Sequence, residues 1–336
     1  MRILVYLEKS DVRGGIEIFA ERHVAQLRAE GYDVAVANVL SHKERREHKE
    51  FLCDLCALCG SKELSVDSFD EVIIHKCADV ATLERFPPEK TTLYVHDHEP
   101  ICPRSYAYTP LKHNCTRASG VWPCLFCAPA CRAWKAALGR VFSQRRRIKA
   151  MARMKRIVVI SEFMKGRLVV NGIPAEIISV EPPKIEDTHN SQLTTHNSQL
   201  TTLSIDLLYV GQMIRGKGVQ LLLAAMAQLK TPRTLDVVGT GNMEGELKAL
   251  AARLGLADRV RWRGFQEDPQ AWMRAAKCVV VPSFWQEPYG LVAAEAVALG
   301  RPVVAFAIGG LPEACGGKAT LVPPGDVAAL AQALEE

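Results

Sequence analysis

The stretch "PSFWQEPYGLVAAEAVALGRPVV", Pro282–Val304, decides how the chain is built. It leaves an apolar run, Cys278–Val281, and passes through an aromatic loop that places Glu287 directly before Pro288. It continues as an Ala, Val and Leu helix over Tyr289–Leu299 that carries one acid, Glu295, and ends in a second apolar run, Pro302–Phe306. Strand, helix and strand in that order form a parallel βαβ unit. The first acid sits at the helix mouth, where the macrodipole stabilises an anion. The second lies about two turns inside, its side chain leaning back toward the helix N-terminus. From there a carboxylate can accept from the paired hydroxyls of a ribose. A dipole partner plus one solvent-facing glutamate explains the same spacing, and the spacing alone leaves both readings open.

The same alternation runs outward over the chain. Arg2–Leu7, Asp33–Asn38, Val72–His75, Thr92–His96 and Arg156–Ser161 read as strands of one sheet. Leu207–Val210, Leu235–Val238, Arg259–Trp262, Cys278–Val281 and Pro302–Phe306 read as strands of a second. Periodic helices lie between them, at Ile16–Glu30, Val219–Leu229 and Met243–Leu254. Alternation of this kind predicts α/β architecture, parallel sheets with helices on both faces. The break between the two series falls at residues 181–204, a polar segment in which "THNSQLT" occurs twice in tandem. The expected domains are therefore 1–180 and 205–336, joined by a low-complexity linker.

Composition narrows the class. With 48% hydrophobic and 24% charged residues, the chain reads as a globular protein. It has no apolar run of membrane-spanning length and no signal-peptide layout at its start, which predicts a cytoplasmic location. The net charge of +5 is mild but uneven, because Cys131–Arg156 holds ten Lys or Arg and no acid. That segment is either a solvated basic helix or a face for anionic lipid, which predicts peripheral attachment to the inner face of a membrane through Arg132–Arg156. Nucleic acid is not expected, since no aromatic residues interleave the charges and no binding module is present.

Ligands of open α/β sheets bind beyond the carboxyl ends of the strands. The loop after Leu207–Val210, "GQMIRGKG", sets Arg215 and Lys217 among glycines, which suits a diphosphate. "GTGNMEG" follows Leu235–Val238 with spacing one residue off the dinucleotide fingerprint. A turn that needs Gly for backbone reasons explains it equally well. Eleven cysteines are present, and Cys102, Cys115, Cys124 and Cys127 include one Cys-x-x-Cys, with Cys131 following. They are either reduced loop thiols or a structural zinc site that staples a long loop. "CDLCALC", Cys53–Cys59, reads as an ordinary segment.

The second half of the chain closely resembles the retaining glycosyltransferases of family 4 and their relatives. Their pattern of Glu, seven residues and Glu, with Gly three after the first acid and then Gly-Gly-x-x-Glu, appears here as Glu287, Gly290, Glu295, Gly309, Gly310 and Glu313. The family's Arg and Lys match Arg215 and Lys217, and its N-terminal glycine loop matches Gly14 and Gly15. The resemblance implies a GT-B fold, two Rossmann-like doubly wound domains facing one another across a cleft. It implies a nucleotide-sugar donor on the second domain, and on the first a glycan or lipid-linked acceptor of surface polysaccharide or glycolipid assembly. In that scheme Arg215 and Lys217 hold the diphosphate, Glu295 the ribose, and Glu287 the sugar hydroxyls. The backbone of Gly290 and Leu291 holds phosphate, and Gly15 belongs to the donor site. His75 and His96, with Asp97, match strand ends near the reacting sugar. The absence of an Asp-x-Asp motif agrees with a metal-independent hexosyltransferase that needs no cofactor. The chain departs from the family at Cys278, where Asp is common, and at its end, "ALAQALEE", which reads as truncated before the family's closing helices. A different GT-B enzyme, such as a nucleotide-sugar epimerase, and a non-catalytic nucleotide-binding remnant are the alternative readings.

Overall fold

The computed structural model describes residues 1–8, 15–39, 66–75, 80–104, 107–109, 114–127, 134–185 and 205–336. Gly14, Cys53–Cys59, Cys131, Arg132 and the tandem repeat lie outside them. The chain divides into two compact units, Met1–Glu181 and Pro182–Glu336.

The first unit is a six-stranded sheet built from β1 (Arg2–Glu8), β2 (Asp33–Val39), β3 (Glu71–His75), β4 (Thr91–Val95), β5 (Arg156–Val159) and β6 (Ile178–Val180). Its strands lie in the order β2-β1-β3-β4-β5-β6, every pairing parallel. The second unit is a six-stranded sheet of β7 (Ile205–Val210), β8 (Leu235–Val238), β9 (Val260–Gly264), β10 (Ala276–Val281), β11 (Val303–Phe306) and β12 (Thr320–Val322). Its order is β12-β11-β10-β7-β8-β9, again parallel throughout. Both are doubly wound Rossmann-like sheets. The edge strands β6 and β12 were not legible in the sequence, because "ISV" and "TLV" are too short to show a period.

The central strands are apolar on both faces, as a sheet covered by helices on each side requires. In the second unit Leu207, Tyr209, Val280 and Phe306 belong to one core, while Leu208, Val279, Val281 and Ala305 belong to the core on the opposite face. One of the buried charges of this unit lies in the sheet itself. Asp236 of β8 is fully buried and accepts from Arg261 Nε at 3.1 Å and Arg263 Nε at 2.6 Å, both on β9. Arg263 in turn lies 5.3 Å above the Trp272 ring. Removing one partner of a buried ion pair leaves the other charge uncompensated, at a cost of about 3 kcal/mol or more. Asp236→Ala is therefore expected to lower the denaturant midpoint of the second unit strongly. Arg2→Ala, which breaks the exposed pair with Asp33, should move stability by under about 1 kcal/mol.

Candidate functional site

In the second sheet β7 and β10 are neighbours, and from them the chain proceeds in opposite directions, to β8 on one side and β11 on the other. The crevice beyond their carboxyl ends is the topological switch point, where open α/β sheets bind ligands. The loop after β7 brings Arg215 and Lys217, and the loop after β10 brings Glu287. Phe284 N–H donates to the Gly216 carbonyl at 3.1 Å, which straps the two loops together.

Glu287 is buried, and three donors converge on its Oε1. They are Lys217 Nζ at 2.6 Å, Ser283 Oγ at 2.6 Å and Trp285 Nε1 at 3.0 Å. Lys217 Nζ also lies 5.5 Å above the Trp285 ring. Burial opposes ionisation of the carboxyl, but the Lys217 charge and the hydrogen bonds outweigh it and hold Glu287 below the ordinary carboxylate value. Lys217 and Glu287, which the sequence reading gave separate tasks, form one unit. Among the described residues the side-chain partners of Glu287 are Lys217, Ser283 and Trp285, and the Lys217 charge is the largest influence favouring the anion. The following helix spans Leu291–Ala298 and begins after Gly290, whose φ of 116° no helical residue adopts. Glu295 consequently lies about one turn inside, not two, and is half-buried. Leu291 is the first helical residue, with Gly290 as its N-cap. Arg215 is exposed, and its side chain makes no ion pair among the described residues. Gly15 opens the helix Gly15–Ala29 of the first unit.

The glycine loops have backbone explanations. Gly309 has a φ of 60°, and a Cβ there would stand 2.4 Å from the Glu287 carbonyl oxygen. Gly310 N–H donates to that same oxygen at 2.8 Å, so the Gly-Gly loop clamps the Glu287 main chain. In "GTGNMEG", Gly239 has a φ of 129° and a Cβ would meet the Gly211 oxygen at 2.0 Å. Close packing of the loops after β7 and β8 therefore accounts for this glycine without a nucleotide.

On the first sheet, His75 ends β3 and His96 follows β4. His75 is wholly buried, and both its ring nitrogens are engaged. Nε2 is 3.0 Å from His23 Nδ1, and Nδ1 is 3.1 Å from His96 Nε2. Burial and the imidazoles of His96 and His23 hold His75 well below the ordinary histidine value. Asp97 accepts from the Glu99 N–H at 2.8 Å and shapes the turn beyond His96. Sequence reading missed His23. Its signal was its place on the inward face of the helix Gly15–Ala29, between the buried Ala20, Val24 and Leu27. It also missed Ser283 and Trp285, four and two residues before Glu287.

Cys102, Cys115, Cys124 and Cys127 are half-buried thiols. Burial raises Cys124 and Cys127, and the neighbouring thiols raise them further. Among the described residues, which do not include Cys131, no group of three or more His, Cys, Asp or Glu is placed to hold a metal ion. The segment of these thiols is tied down by polar bonds. Arg167 donates to the Thr116 and Arg117 carbonyls at 2.8 and 3.1 Å, and Asn171 Oδ1 accepts from the Ser119 N–H at 2.7 Å. Gln144 donates to the Pro100 carbonyl at 3.2 Å, and Arg140 pairs with Glu99 at 2.9 Å.

Comparison with known proteins finds relatives of the second unit. Residues 204–336 match the family model of the group 1 glycosyl transferases. The D-inositol 3-phosphate glycosyltransferase of Streptomyces coelicolor is 43% identical over 129 residues, covering 36% of this chain and 28% of the relative. The Frankia alni protein of the same name is 44% identical over 119 residues, 31% of this chain and 29% of the relative. The chain thus spans well under a third of the length of the curated relatives it matches. Among solved structures, Anabaena HepE in complex with UDP aligns over 99% of this chain and 89% of its own, with a TM-score of 0.66 and 20% identity. WaaG, a glycosyltransferase involved in lipopolysaccharide biosynthesis, aligns over 100% of this chain and 91% of its own, with a TM-score of 0.65 and 17% identity. The second unit thus matches the model of the group 1 glycosyl transferases, and the two Rossmann-like units share the GT-B fold of these solved structures.

The pair predicts a pH signature. A folded-state carboxyl held below its ordinary 4.5 contributes stability that is fully present above that value and lost as pH falls through the lower folded value. Glu287→Gln removes this contribution. Thermal melts should show the variant less stable than the parent by about 3 kcal/mol near neutrality. The gap should narrow as pH is lowered below about 4.5. A gap that does not change with pH would show that Glu287 is not the ionised partner.

Proposed function

We propose that the protein is a retaining glycosyltransferase that takes a sugar from a nucleotide-sugar donor. The observation that carries this reading is the Lys217–Glu287 unit at the switch point between β7 and β10, within the segment that matches the family model. Arg215, exposed beside it, is the cation available to the diphosphate. Lys217 lies on the same short segment, Arg215–Lys217, and adds positive charge where the nucleoside diphosphate departs. Preorganised cations aimed at a developing negative charge stabilise such a departure without reorganisation. Glu287, held on one oxygen by three donors, is a rigid acceptor for sugar hydroxyls. Glu295, one turn into its helix, accepts from the ribose, and the Gly290 and Leu291 N–H groups meet phosphate. His96 stands on the acceptor side.

Transfer of labelled sugar to an acceptor extract, with donors of different bases assayed in parallel, tests the activity. Turnover of donor to a free sugar nucleotide epimer, or binding without turnover, would replace this reading. Calorimetry tests the site independently of turnover. Glu295→Ala is expected to weaken both nucleoside diphosphate and nucleotide-sugar by roughly ten- to a hundredfold. Arg215→Ala should weaken diphosphate while sparing the bare nucleoside.

The acceptor is proposed to be a glycan or lipid-linked sugar met at an anionic membrane surface. No helix among the described residues is long and apolar enough to cross a membrane. The helix Trp134–Met151 nevertheless presents Lys135, Phe142, Arg145, Arg146 and Lys149 to solvent. Phe142 is 66% exposed among these cations, and Trp122 in the short helix Val121–Leu125 and Phe126 just after it are 75% and 79% exposed. Aromatics beside cations suit the interface of an anionic bilayer. Co-sedimentation with anionic vesicles is expected to fall as salt rises. In a Trp122→Ser, Phe126→Ser, Phe142→Ser variant it should fall even at low salt. Equal binding to neutral vesicles, or none to either, returns the segment to a solvated basic face.

A further inference from the structure

His23, His75 and His96 form an unbroken line of imidazoles. It runs from the helix Gly15–Ala29, across the end of β3, to the carboxyl edge of the first sheet. The middle ring is shut in. Tyr94 stacks on His75 at 4.6 Å between centroids, and Phe19 packs edge-on at 5.8 Å and also meets His96 at 5.0 Å. The charged groups that act on the line are Glu181 and Glu30, which oppose the lowering of His23 by burial.

The proton count on these rings is constrained. A neutral imidazole has one N–H and one acceptor nitrogen. His75, bonded through both nitrogens, must donate to one neighbour and accept from the other. If its Nδ1–H donates to His96 Nε2, its Nε2 accepts from His23 Nδ1–H, and all three rings carry the proton on Nδ1. If the direction is reversed, His96 Nε2–H donates to His75 Nδ1 and His75 Nε2–H donates to His23 Nδ1. All three rings then carry the proton on Nε2. No mixed arrangement keeps both hydrogen bonds. A charge on the middle ring is disfavoured by its burial, which keeps the line neutral and its two directions distinct.

We propose that this line of rings sets the tautomer and ring angle of His96, so that His23 is a positioning residue acting through His75. The proposal rests on the acceptor-side reading of His96. It also assigns His75 a structural rather than a contacting part, since its two nitrogens are already taken.

The test uses the full chain without substrate. Long-range proton–nitrogen correlation spectra of histidine-labelled protein near neutral pH should show His23, His75 and His96 in one common neutral tautomer. In His23→Phe the His96 ring signals should shift toward a mixture of tautomers. His23→Asn, whose side chain offers a polar atom near the former Nδ1, should restore the parental pattern in part. Different tautomers among the three rings of the parent, or unchanged His96 signals in His23→Phe, overturn the proposal. If His23→Phe does not fold, the parental spectrum alone decides. In transfer assays His23→Phe should lower kcat about five- to tenfold with the donor KM unchanged, partly rescued in His23→Asn. An unchanged kcat overturns the positioning role. Parental transfer by His96→Ala would instead remove the acceptor-side reading and leave the tautomer result standing, so the two failures are told apart.

Discussion

The second unit is organised around a carboxylate that could not be buried alone. Taking Glu287 out of water costs several kcal/mol unless the charge is paired and its lone pairs are satisfied. Lys217, Ser283 and Trp285 meet that demand at one oxygen. Lys217 comes from the loop after β7, whereas the other two come from the loop after β10, so the pair can form only when those strands are adjacent. The Gly-Gly turn after β11 then closes on the Glu287 backbone, and bulk at Gly309 would push it away. One ion pair thus links three loops and gives the switch point its shape.

The same arrangement reconciles stability with chemistry. A glutamate left free at the crevice would protonate or swing, whereas a tethered one keeps its charge and direction. Its cation does not lie idle either, because Lys217 is held by the carboxylate and the Trp285 ring on the segment that also carries Arg215. The first unit solves its own buried polar problem differently. There three imidazoles bond to one another in line, and a neutral middle ring avoids the desolvation cost that an ion pair must overcome.

Much of this was readable in the residues. The alternation of β-branched runs with periodic helices determined two parallel α/β sheets, because a side-chain period of two or of 3.6 is a local property of the chain. The loop residues Arg215, Lys217 and Glu287 were identifiable as candidates because polar groups beside glycines at strand ends are the exceptions in an apolar pattern, and Glu295 because it is the lone acid of an apolar helix. Tertiary structure decided the rest. That Lys217 belongs to Glu287, 70 positions later, follows from the placement of β7 beside β10, which no local pattern encodes. The left-handed backbone of Gly290 delays the helix and brings Glu295 two residues, about half a turn, closer to its start. His23 acquires meaning only when its helix packs across β3, since a lone histidine on a helix has no spacing to announce it. The cysteines show the converse. Their spacing left a metal site and reduced loop thiols equally open, and only the fold shows that bonds to Gln144, Arg167 and Asn171 hold their segment. Local periodicity is written in neighbouring residues, whereas partnership between distant side chains is settled only by the order in which strands are laid beside one another.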